Sequence, residues 1–72
     1  MMQTLYTIAA LDPEHMSHVH AWVDALRRAF SYGWHFHIAD RRILGHRESG
    51  GHDPDYVRGY FRRLFDELAE RQ

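Results

Sequence analysis

Seventy-two residues with a net charge of −1, histidines counted as neutral, and no cysteine make one domain, residues 1–72, that no disulfide can brace. A chain this short buries only about 60% of the surface its unfolded form exposes, so oligomerisation or a bound ion is the usual supplement to its core. The balanced charge argues against a strongly basic polyanion binder. With no apolar run near the roughly 20 residues of a membrane span and no secretion leader, a cytoplasmic protein free of the membrane is expected. All nine basic residues are arginine. Arginine suits carboxylate and phosphate recognition, but because the bias runs through the whole chain, a genome whose codons favour arginine accounts for it more simply.

Met1 to Leu11 reads as a first strand, since Leu5, Tyr6, Thr7 and Ile8 are β-branched, aromatic or aliphatic. Asp12-Pro13-Glu14 then predicts a helix start: an aspartate to cap free amides, a proline with its φ preset, and a glutamate at the positive end of the dipole. Leu11 and Met16 stand at the positions of a hydrophobic staple. Met16, Val19, Val23, Leu26 and Phe30 recur at helical spacing, Arg27 and Arg28 fall in the last turn, and Gly33 is placed to terminate. These features predict a helix over 13–32.

Trp34 to Glu48 predicts a β-hairpin. Trp34, Phe36 and Ile38 alternate with His35 and His37, the pattern of a strand with one buried and one wet face. Asp40-Arg41-Arg42 interrupts the run and Ile43-Leu44 resumes it, so a tight connection would set Ile38 near Ile43. After Gly50-Gly51, Asp53-Pro54-Asp55 starts a second helix that runs to the C-terminus. Val57, Tyr60, Phe61, Leu64, Phe65 and Leu68 form its buried face, and Arg62 with Asp66 and Arg63 with Glu67 sit four apart on its outer one. The fold class is α+β in the order β-α-β-β-α. A right-handed crossover would make the first two strands parallel and put both helices on one face of a three-stranded sheet.

That arrangement exposes His35 and His37 on the other face, joined by His46, Thr7 or Tyr6, and leaves sheet edges open to pairing. A homodimer or a partner-bound module is the expectation. Seven histidines raise a metal alternative: His35 and His37 point the same way and His46 across the hairpin can supply a third ligand for zinc or a similar ion. His15 and His18 form a second pair flanking Trp22. Surface positions without a metal are the commoner role for such residues. Gly59 costs about 1 kcal/mol inside a helix relative to alanine, and the polar rim of Asp55, Arg58, Arg62 and Arg63 around it would suit an approaching backbone. Arg41, Arg42 and Arg47, with Trp34 and His37, resemble the basic stacking surface of small RNA- or single-stranded-DNA-binding proteins, diluted by Asp40 and Glu48. No serine stands beside a base and no cysteine is present, so an enzyme is not expected.

The element order and length resemble those of the DinI-like proteins, small modulators of the RecA filament, whose acidic C-terminal helix is matched here by Asp66, Glu67 and Glu70 interleaved with Arg62, Arg63 and Arg71. In size the chain is also similar to small phage-encoded inhibitors, anti-CRISPR proteins among them. These resemblances and the open sheet face imply a non-enzymatic regulator or inhibitor that binds a protein, a subunit of a nucleoprotein assembly included. It would carry no cofactor, and contact its partner through His35, His37, Arg41, Arg42, His46, Arg58, Gly59 and Arg62.

Overall fold

The computed structural model describes residues 4–70 and has the expected α+β order: β1 (Thr4–Ala10), a 3-10 helix (Pro13–His18), α1 (Val19–Ala29), β2 (Trp34–Ala39), β3 (Arg42–Arg47) and α2 (Pro54–Glu70). Met1 to Gln3, which sequence reading includes in the first strand, lie outside the described residues, as do Arg71 and Gln72.

The hairpin forms where the alternation places it. Asp40 and Arg41 both have positive φ, 52° and 56°, the backbone of a two-residue type I′ connection whose twist matches that of the flanking strands. Ala39 pairs with Arg42 and Ile38 with Ile43. Every inward residue of β2 therefore meets an inward residue of β3. Trp34 and Phe36 are buried while His35 and His37 are exposed.

β3 is the central strand, antiparallel to both neighbours in the order β1-β3-β2. β1 and β2 consequently run in the same direction, as the crossover predicts, with the return strand inserted between them. The ladder between β1 and β3 shifts register between Thr7 and Ala9. This bulge turns the extra residue, Ile8, into the core.

The first helix departs from the sequence reading. In place of one helix over 13–32, a six-residue 3-10 helix precedes an α-helix of 11 residues that ends at Ala29. Asp12 makes no side-chain cap; its carbonyl accepts the His15 N–H at 2.9 Å. His15 and His18 both reach Trp22, with ring centroids at 6.3 and 5.7 Å, and His15 also meets Phe65 edge-on at 4.9 Å. At the other end Phe30 leaves helical geometry (φ −125°, ψ 49°) and enters the core edge-on to Tyr60 at 5.2 Å. Gly33 is left-handed, φ 78°, and a side chain there would overlap Gly51 Cα.

α2 begins as expected, with the Asp53 carbonyl accepting the N–H groups of Tyr56 and Val57 at 3.0 and 3.2 Å. Arg62 meets Asp66 at 3.6 Å. Arg63, expected to pair with Glu67, lies over the Tyr60 ring instead, 5.9 Å from its centroid.

Both helices cover one sheet face and close a core in which Leu26, Ile43 and Val57 are fully buried. Trp22, outside the predicted apolar stripe, is buried as well. Trp34 stacks on Phe36 with centroids 5.6 Å apart and lies across Gly45, where a Cβ would stand 2.7 Å from the indole Cζ3. Its Nε1–H donates to the His52 carbonyl at 3.0 Å.

Candidate functional site

The strand pairing sorts every side chain of the sheet to one face or the other. On the face away from the helices it forms three rows across β1, β3 and β2: Leu5, His46 and His35; Thr7, Leu44 and His37; Ala10, Arg42 and Ala39. His37 and His46, diagonal neighbours, stack with centroids 4.9 Å apart and planes 23° from parallel. His35 Nε2 lies 3.3 Å from Glu48 Oε1 at the rim. Leu5 is 52% exposed, and Leu44 is half-buried beside it in the next row. Imidazoles and one guanidinium on β3 and β2 thus lie to one side of an apolar spot, on the sheet face away from the helices.

Four of the predicted contact residues, His35, His37, Arg42 and His46, share this face. Arg41 sits in the turn at its end. Tyr6, expected on the exposed face, is on the helix side with its ring 5.8 Å from that of Trp34, because it pairs with inward-facing Gly45. Leu5 and Leu44, which sequence reading did not place on this face, each lie two residues from an outward neighbour along the strand.

The basic stacking surface does not assemble. Trp34 is 3% exposed and cannot offer its face to a base. Arg47 is on the helix side, donating through Nε and Nη2 to the Gly51 carbonyl at 3.2 and 2.9 Å. The three-histidine metal arrangement does not converge either. Among the described residues the one group of three or more His, Asp or Glu side chains whose ligand atoms come within 4.8 Å of one another is Asp12, Glu14 and His15.

Arg58, Gly59 and Arg62 form a second surface along α2. Arg58 and Arg62, with Asp66, rim an open groove of about 460 Å³ between α2 and β1, with Ile8, Leu11, Phe61 and Phe65 beneath, and Gly59 is not part of its lining. Gly59 has no neighbour within 4 Å of where a Cβ would stand, so packing within the chain does not require it. Arg58 is less available than its position suggests: it donates to the Thr7 carbonyl at 3.0 Å and to Asp55 at 3.2 Å, and its guanidinium lies over the Tyr6 ring.

Arg27 does the corresponding thing at the opposite margin, donating to the Phe36 carbonyl at 3.1 Å. β1 and β2 are the two edge strands, and each has a carbonyl occupied by an arginine from a helix. The edges expected to stand open are therefore partly closed, β1 further so by its bulge, a combination that discourages strand pairing between chains.

No protein-family model, curated protein or solved structure matches the chain. The geometry defines a class of its own description: a small α+β domain with helices on one sheet face and a histidine-bearing surface on the other. Among the described residues no helix is long and apolar enough to cross a membrane.

Proposed function

We propose that this chain is a non-catalytic binding module that regulates or inhibits a protein partner, subunits of nucleoprotein assemblies included, and that the open sheet face is its contact surface. The observation that carries this reading is the asymmetry of the sheet: two helices cover one face, and the other presents Leu5, Leu44, His35, His37, His46 and Arg42 to solvent. Apolar groups rimmed by polar ones are a feature of interaction surfaces, and Leu5 with Leu44 supplies a small one here. Arg58, Gly59 and Arg62 on α2 form a subsidiary contact. Self-association belongs to the same proposal, and the arginine-capped edges direct it to the open face rather than to a continued sheet.

The test compares wild-type chain with a His35→Ala/His37→Ala/Arg42→Ala variant as bait in cell extract, followed by hydrogen exchange on the recovered complex. Retention of a partner by the wild type, its loss in the variant and protection across β2 and β3 are expected. Undiminished capture by the folded variant would show that the sheet face is the wrong surface.

A further inference from the structure

We infer that the 3-10 helix is a strap, tethered at both ends, whose local opening uncovers Trp22 and Phe65 and so lengthens the groove between α2 and β1 while the rest of the fold stays closed. The inference rests on packing and is independent of the sheet face as contact surface. Both tethers are firm. Leu11 is 7% exposed and donates its N–H to the Arg41 carbonyl at 2.8 Å, and Val19 is 3% exposed. Between them, none of residues 12–18 is buried.

The winding between the tethers is of the weaker kind. Runs of 3-10 helix beyond about three or four residues are uncommon because their hydrogen bonds are poorly aligned, and this one has six residues. No side chain caps its start. The His15 N–H is satisfied by the Asp12 carbonyl at 2.9 Å, and the Val19 N–H reaches back to the Met16 carbonyl; bonds this local do not fasten the segment to the sheet or to α2. Side chains do that: His15 on Phe65 and Trp22, His18 on Trp22, and half-buried Met16 against the core. Segments held by few buried contacts are those that open ahead of the whole fold.

Under the strap the groove continues. Phe61 and Phe65 line the groove, and both touch Trp22, with centroids 5.4 and 5.6 Å from it. Trp22 is 6% exposed, with the His15 and His18 rings against it. Leu11, the first tether, is itself part of the groove wall. Lifting residues 12–18 therefore joins an aromatic surface from Phe65 to Trp22 onto the groove without breaking a strand pair. The closed strap keeps that apolar surface out of water, where a larger exposed patch would invite indiscriminate adhesion.

The experiment is native-state hydrogen exchange of the full chain, isotope-labelled and read amide by amide, over urea concentrations below the unfolding transition. The Met16, Ser17 and His18 amides are expected to exchange at least about a hundred-fold faster than the slowest amides of α1 and β3, as an independently opening segment does. Their urea dependence should be finite yet shallower than that of global unfolding, because the slope scales with the surface exposed. Exchange in step with the core, at the same rate and slope, shows that the segment does not open by itself and overturns the proposal. Fast exchange with no urea dependence overturns it too, since the segment then frays without uncovering the rings. A His15→Ala/His18→Ala variant, with its circular dichroism spectrum unchanged, should exchange at the same three amides roughly ten-fold faster, as the loss of such ring contacts gives. Unchanged exchange in that variant shows that the rings do not hold the strap down.

Discussion

Two glycines mark opposite situations. Gly33 combines a left-handed backbone with contact against Gly51, so Gly33→Ala must both strain φ and push two turns apart; a loss of about 2 kcal/mol is expected from strain of this kind, read as a lower urea midpoint. Gly59 stands in open space inside α2, and Gly59→Ala should stabilise by about 1 kcal/mol through helix propensity alone. Gly59→Leu asks the functional question: weaker partner binding with intact helicity assigns the glycine to an interface, and unchanged binding returns it to chance. Leu26, fully buried, should lose about 2–5 kcal/mol as Leu26→Ala. The cost of Gly59 was legible in its position within a helical pattern. The slot that Gly45 provides for Trp34 was not, because it depends on which rows face each other across the hairpin, a long-range fact that composition does not carry.

At the level of elements, the hairpin was the most legible part, since alternation fixes both its faces once the turn is tight. Its turn uses Asp40-Arg41 where Asn-Gly is favoured, and a left-handed arginine costs roughly 1 kcal/mol. Asp40→Asn/Arg41→Gly should therefore raise stability by about that amount, measured by thermal unfolding, with an unchanged spectrum. The first helix was misread as continuous because its apolar spacing, compatible with either winding over one turn, was joined to a cap that does not form. The His15 and His18 rings on Trp22 are contacts between separate elements, which the spacing alone does not specify. The arginine caps of the sheet edges had no sequence signal, since Arg27 and Arg58 bond carbonyls nine and 51 residues away. Removing both as Arg27→Ala/Arg58→Ala should cost about 1 kcal/mol per site and, more tellingly, promote concentration-dependent association by sedimentation. A double variant that stays as dispersed as wild type would deny the caps a protective role.

For the whole molecule, the proposed contact face lies apart from the residues that stabilise the fold. His35, His37 and Arg42 are exposed and outside the core, so their joint replacement by alanine should change unfolding free energy by no more than about 0.5 kcal/mol per site while abolishing partner capture. Four residues of this face were legible from strand alternation and the inference that helices fill the opposite side; Leu44 follows from the same hairpin register, opposite His37, whereas the facing of Leu5 depends on the long-range β1–β3 pairing. The sheet order also has a consequence for how the molecule is made. β2 and β3 meet through a two-residue turn, but β1 pairs with β3 from Ala10 with Arg42 to Thr4 with Arg47, across the whole of α1 and β2. On the ribosome β1 is therefore synthesised long before its partner strand β3, and α2, which shields the core over it, comes later still. The nascent N-terminal strand has to wait as an unpaired apolar segment until the hairpin closes, and it is in that interval, rather than in the finished fold, that this chain is most exposed to misassociation.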